Sequence, residues 1–205
     1  VYYSDPKSPV AKPTEAVQVI GTIDLEEKIL DKQFTYGLNS FFQINIPVFE
    51  EALKDIKKAV QKNQLVVDYY SGVGSIGLSL ANKANHIVLV EENKEATEFA
   101  QNNTSINEVS QVDIFTDRSE RLLSFIDTNR TIIFDPPREG LHKNVIKRVL
   151  KRLPEKIIYL SCNPSTQQED VALLTDSEYK IIFHRIYNFF PRTPHVESLI
   201  VLERR

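Results

Sequence analysis

The stretch "VVDYYSGVGSIGLSLA" (66–81) decides how the rest of the chain reads. It begins as an apolar run, meets a carboxylate at Asp68, passes Gly72, Gly74 and Gly77, and continues into apolar residues at helical spacing. Such a pattern is a strand, a tight loop and the start of a helix. Glycines permit the turn and a close backbone approach, and the helix start offers unpaired N–H groups to a ligand. Upstream, Phe49, Leu53, Ile56 and Val60 recur at helical spacing. Downstream come the strand-like runs "HIVLV" (86–90), "VDIFT" (112–116), "TIIFD" (131–135) and "KIIYLS" (156–161), separated by helical stretches such as 94–106 and 142–152. That alternation predicts an α/β fold, a mainly parallel sheet with helices on both faces. The last two runs, 179–190 and 195–204, have no helix between them, so they are expected to pair as an antiparallel edge hairpin.

Residues 1–45 read differently. "VYYSDPKSPVAKP" has no period, and only short β-leaning pieces follow, "VQVIGTI" (17–23) and "FFQIN" (41–45). We expect a lead-in or the remnant of a preceding domain over 1–45 and the regular unit over 46–205. The chain opens at Val1 and has no methionine, which suggests a piece of a longer protein.

Composition narrows the class. With 205 residues, 41% of them hydrophobic and 26% charged, the chain suits one soluble domain. Its single cysteine excludes an internal disulfide framework and a metal or iron–sulfur site built on several cysteines of this chain. No signal peptide and no apolar run of membrane-spanning length is present, so a cytoplasmic location is expected. At a net charge of -3 the domain is no general polyanion binder, and a nucleic-acid partner has to be held by a local patch or another module.

Ligands of open parallel sheets bind beyond the carboxyl ends of the strands. Asp68, Glu91, Asp135 and Cys162 all fall there. The glycine loop has two readings. As G-x-G-x-x-G with Glu91 at the end of the next strand, it fits a dinucleotide site and an NAD(P)-dependent oxidoreductase. The spacing D-x-x-x-G-x-G from Asp68 instead resembles motif I of the S-adenosylmethionine-dependent methyltransferases, with Glu91 again on the ribose hydroxyls. "DPPREG" (135–140) sets two φ-locking prolines after Asp135 and makes a rigid corner beside that loop. Arg138 stands where amino-methylating enzymes carry an aromatic, which disfavours methylation of an exocyclic nitrogen.

Cys162 follows "KIIYL" and precedes "NPST", where Ser165 and Gln168 form a capping box on paper. A thiol beside a helix N-terminus is expected to have a lowered pKa and a nucleophilic thiolate.

The segments "SFFQIN" (40–45), "DYYSGVGSIG" (68–77), "VEENKEA" (90–96), "DPPREG" (135–140), "SCNPST" (161–166) and "FFPRTPHVE" (189–197) are similar, in order, to the motifs of the RNA uracil-5-methyltransferase family. The resemblance covers residues 40–205. It implies a Rossmann-like, seven-stranded class I methyltransferase sheet, S-adenosyl-L-methionine as cofactor with no metal, and an RNA substrate, ribosomal RNA ahead of transfer RNA. It further implies Cys162 as nucleophile and Glu197 as general base, with Gln43, Tyr70, Gly72, Gly74, Glu91 and Asp135 binding the cofactor. Ser71 replaces a cysteine common in the family, and Asn188 an aspartate. A catalytically silent RNA-binding domain stays open as a third reading. Arg192 and His195 fit RNA contact and solvent exposure equally, Phe189 and Phe190 fit core packing better than base stacking, and the basic helix 142–152 is expected to be a solvated face.

Overall fold

A computed structural model describes residues 24–205 together with the strands β1 (Tyr2–Ser4) and β2 (Pro13–Ala16), which pair antiparallel. The β-leaning piece 17–23 lies outside the described residues. A hairpin, β3 (Leu25–Ile29) and β4 (Lys32–Tyr36), leads through residues 37–45 into α1 (Ile46–Ala59). Then follow β5 (Leu65–Tyr69), α2 (Ser75–Ser79), β6 (His86–Glu91), α3 (Lys94–Ile106), β7 (Val112–Thr116) and β8 (Arg130–Phe134). The chain ends with α4 (Lys143–Arg152), β9 (Lys156–Ser161), α5 (Pro164–Thr175), β10 (Tyr179–Tyr187) and β11 (Glu197–Arg204).

Seven strands form one sheet in the order β10-β11-β9-β8-β5-β6-β7. β5 pairs parallel with both β6 and β8, and β9 runs parallel to β8, whereas β11 is antiparallel to β9 and to β10. The expected α/β class and edge hairpin are therefore observed. After β7 the chain returns to the other side of β5, so the crevice between β5 and β8 is the switch point at which such sheets bind ligands.

The central strands are apolar on both faces because helices cover both, and the period of two divides them cleanly. Val66, Ile87, Leu89, Ile133, Ile158 and Val201 pack with α1 and α2 on one side. Val67, Val88, Val90, Ile132, Ile157 and Tyr159 pack with α4 and α5 on the other. Residues 24–45 join the first layer: Ile29 and Phe34 are wholly buried in it, and β4 lies along α3. The stretch 41–45, expected to lean toward a strand, has no strand pairing. Its residues run as loop into α1, with Pro47 in the first helical turn.

Phe189 is buried and meets Phe49 edge-on with ring centroids 6.1 Å apart, as the packing reading expected. On α4, Arg148 donates to the carbonyls of Leu123 and Ile126, and Arg152 pairs with Asp127, while Lys143, Lys147 and Lys151 are exposed. No helix of the described residues is long and apolar enough to cross a membrane.

Candidate active site

The glycine loop leaves β5 and turns over its carboxyl end. Tyr70, Gly72 and Gly74 all have positive φ (61°, 54° and 85°). Gly74 is required twice over: its φ is left-handed, and a Cβ there would sit 3.0 Å from Leu89 Cδ1. Two carboxylates hold the loop from below. Glu91 Oε2 accepts the Gly72 N–H at 2.9 Å while Oε1 accepts that of Asn93 at 2.8 Å, and Asp68 Oδ2 accepts the Gly77 N–H at 2.9 Å. Asp68 is completely buried, which pushes its carboxyl up to about 8 against the Gly77 bond, with Asp135 and Glu91 adding like charge.

Beside the loop lies a cleft of ≈ 230 Å³, bordered by Tyr70, Glu91, Asp117, Ser119, Pro137 and His142 among others. The Tyr70 hydroxyl meets Ser119 Oγ at 2.7 Å, and Asp117 N donates to Glu91 O at 3.0 Å. The segment 40–45 passes near the glycine loop: the Phe41 carbonyl would be 3.8 Å from a Cβ on Gly72, and Gln43 is buried. Asn45 Nδ2 donates to Phe189 O at 3.1 Å, joining that segment to the stretch before Glu197.

The thiol and the acid meet through strand register. Ser161 pairs with Ser198 in the antiparallel β9–β11 ladder, so Cys162, the next residue, and Glu197, the previous one, come opposite each other at its end. Directly opposed residues in such ladders are about 4.5–5.5 Å apart at Cα. Glu197 is 3% exposed, and its Oε2 has no hydrogen-bond partner among the described residues. Burial pushes its carboxyl up to about 8, Asp135 adds to the rise, and Arg138 opposes it. Asp135 is half-buried directly after β8, with its carboxyl raised to about 7 by burial.

Two expectations about Cys162 need correction. Its pKa is raised, not lowered: burial acts first, followed by the charges of Glu197 and Asp135, and Arg138 opposes all three. Burial and two neighbouring carboxylates favour the neutral thiol in this poorly solvated corner. The cap of α5 is also different. Asn163, not Ser165, is the N-cap, its side chain accepting the Ser165 N–H at 3.2 Å, with Pro164 starting the helix. Serine looks like the cap only when Pro164 is read as outside the helix.

The loop 135–141 is tied to α5. Arg138 O accepts from Asn163 Nδ2 at 2.9 Å and Thr166 Oγ1 at 3.1 Å, and Asp170 Oδ2 accepts the Leu141 N–H at 2.9 Å. Gly140 permits this approach, since a Cβ there would lie 2.8 Å from Asp170 Oδ2. Asp170 and Ser119 have no motif signature that marks them from sequence, whereas Arg138 and Asn163 lie in the segments 135–140 and 161–166 without a site role assigned there. Arg192 and His195 are exposed on the turn before β11, and the His195 ring stands edge-on to Phe190 at 6.4 Å.

With this geometry in place, comparison with known proteins settles the lineage. The family model for tRNA (uracil-5-)-methyltransferase matches residues 19–205. The chain belongs to that family. Among relatives of this uracil-5-methyltransferase family chain, an uncharacterized RNA methyltransferase of Mycoplasma mobile is 36% identical over 195 residues, covering 91% of this chain and 53% of that protein. The tRNA (uracil(54)-C(5))-methyltransferase of Pyrococcus horikoshii is 39% identical over 189 residues, 92% of this chain and 44% of that protein. The crystal structure of Pyrococcus abyssi tRNA (uracil-54, C5)-methyltransferase in complex with S-adenosyl-L-homocysteine superposes with a TM-score of 0.83 at 32% identity, covering 98% of this chain and 50% of that one. The chain thus spans about half the length of the relatives it matches.

Proposed function

We propose that this domain transfers a methyl group from S-adenosylmethionine to carbon 5 of a uridine in RNA, through a covalent bond between Cys162 and the base. The reading rests on one observation above the others: the β9–β11 register that sets the thiol against Glu197 beside the glycine loop. A nicotinamide oxidoreductase leaves both groups without work.

The residues suit the cofactor. Its ammonium and sulfonium carry positive charge and its ribose carries donors, and the crevice is rich in acceptors. All three buried side-chain oxygens without a partner among the described residues, Asp68 Oδ1, Ser71 Oγ and Glu197 Oε2, lie at this end of the sheet. Gln43, Tyr70, Gly72, Gly74, Glu91 and Asp135 would hold it. Glu91 spends one lone pair of Oε2 on the Gly72 N–H and one of Oε1 on the Asn93 N–H, and keeps others for the ribose diol. When bound, the cofactor supplies an electrophilic methyl group to the activated base.

The Cys162 thiolate adds to carbon 6 of uracil, and the electrons of the 5,6 double bond move toward the carbonyl to make carbon 5 nucleophilic. Once carbon 5 is methylated, Glu197 takes its proton, the 5,6 double bond re-forms and the thiolate leaves. A carboxyl raised to about 8 is well matched to that base role near neutral pH. The two Pyrococcus relatives are named for position 54 of tRNA, whereas the sequence reading placed ribosomal RNA first, so both RNAs are substrates to assay.

The test uses RNA in which 5-fluorouridine replaces uridine. Fluorine cannot leave as a cation, so turnover stalls as a denaturation-resistant protein–RNA adduct, which Cys162→Ala abolishes. With ordinary RNA, Glu197→Gln lowers turnover by about 10²–10⁴ and accumulates the methylated adduct. Failure of the wild-type protein, in its full-length context, to form an adduct with either RNA overturns the proposal.

A further inference from the structure

Helix α4 carries cations of two kinds. Arg148 and Arg152 are engaged with the segment 123–127, the first donating to the carbonyls of Leu123 and Ile126, the second pairing with Asp127, and Val145, Ile146 and Val149 are buried. Lys143, Lys147 and Lys151 are exposed. Their spacing of four residues sets them in one stripe along about 12 Å of helix. The arginines clamp α4 to the domain, so the lysines stand on a fixed frame. The helix, "KNVIKRVLKR", contains no acid. On other helices exposed lysines are answered by an acid of the same helix: Lys54 by Glu51, Lys58 by Asp55 and Lys94 by Glu98. Among the described residues, no ion pair joins a lysine of α4 to a carboxylate.

This pattern works against the helix itself. Like charges four residues apart repel. Lys143, the first helical residue, also meets the positive end of the helix dipole, where an acid would be favoured. The stripe begins at the edge of the site, since His142, the N-cap of α4, borders the cleft and Lys143 is the next residue.

We propose that Lys143, Lys147 and Lys151 form a phosphate-binding track that holds the backbone of the RNA substrate as it leaves the cleft. The proposal rests on the RNA reading given above and extends it to a surface outside the motif segments. In a chain of net charge -3, these unanswered cations supply the local patch that a polyanion requires. Lysine suits the task because its ammonium meets a phosphate as a point charge on an adaptable stem. Such contacts fix the position of the RNA and read no bases, so transfer and ribosomal RNA are held alike.

The test measures binding of the full-length protein to unmodified transfer RNA and ribosomal RNA transcripts over a series of salt concentrations. Replacing all three lysines with glutamine is expected to weaken binding about tenfold or more at low salt and to make the salt slope shallower by about one for each lysine. Glutamine is a good helix former and ends the repulsion, so the variant should melt no lower than wild type, and weaker binding then has no structural cause. Replacing all three with arginine keeps the wild-type slope. Lys54, Lys58 and Lys94, changed together to glutamine, alter the net charge equally and should leave most of the affinity and slope. Wild-type affinity and slope in the α4 glutamine variant overturn the track, and so does an equal loss in the control variant. Weakened RNA binding in the α4 variant, with no 5-fluorouridine adduct in wild type, upholds the track and overturns the methylation reading instead.

Discussion

At the residue scale, Asp68 shows burial setting the chemistry of a side chain. It is enclosed at the end of β5, one oxygen accepting the Gly77 N–H and the other without a partner among the described residues. Its carboxyl rises from 3.8 to about 8. A folded-state pKa above the unfolded one means that the protonated acid stabilises the fold. That stability is complete below pH 4 and lost as pH climbs through 8. Asp68→Asn keeps an acceptor for Gly77 and removes the charge. Without cofactor, its melting temperature at pH 9 is expected to exceed that of wild type by about 2–4 °C per kcal/mol relieved. A wild-type melting temperature that stays flat between pH 5 and pH 9 would contradict the buried-acid account. Sequence alone placed Asp68 at the strand end but not its enclosure, which depends on Gly77, Leu89 and Ile87 closing around it.

At the element scale, two joints hold the crevice in shape. The first is α3, where Asn103 is wholly buried. Its side chain accepts the Thr35 N–H at 2.7 Å and donates to Thr35 O at 3.0 Å and to Val73 O at 3.1 Å. One amide therefore ties the β3–β4 hairpin and the glycine loop to the same helix. Asn103→Ala strands those backbone groups, so a loss of about 2–3 kcal/mol in urea melts is expected, with weaker cofactor binding in calorimetry. A mid-helix asparagine carries no signal of this in sequence, because its partners lie 68 and 30 residues away. The second joint is the start of α5. Asn163→Ala removes the cap, worth about 1 kcal/mol, and one of the ties on Arg138 O. Urea melts of the variant check that loss.

At the scale of the whole molecule, a ligand that binds only the folded chain raises its stability by mass action. S-adenosylhomocysteine at a hundred times its dissociation constant is expected to add about 2.7 kcal/mol, an upward shift of roughly 5–10 °C. NADH at the same concentration should give none, and the reverse result would restore the oxidoreductase reading. Under the proposed function, the net charge of -3 confines RNA contact to exposed cations near the site such as Arg138, Lys143 and Arg192. Binding of the full-length protein should then weaken with salt.

Local periodicity and turn chemistry suffice to read from the chain alone the alternation of strands and helices, the edge hairpin and the strand-end positions of Asp68, Glu91, Asp135 and Cys162. That Cys162 and Glu197 face each other, that the thiol is harder to ionise than an isolated one, and that Arg138 O is tied to Asn163 emerge only once the chain is folded. Those facts come from the register of β9 against β11 and from a loop folded onto α5. Desolvation and charge at such a meeting point depend on residues distant in sequence, and no local pattern encodes their distances.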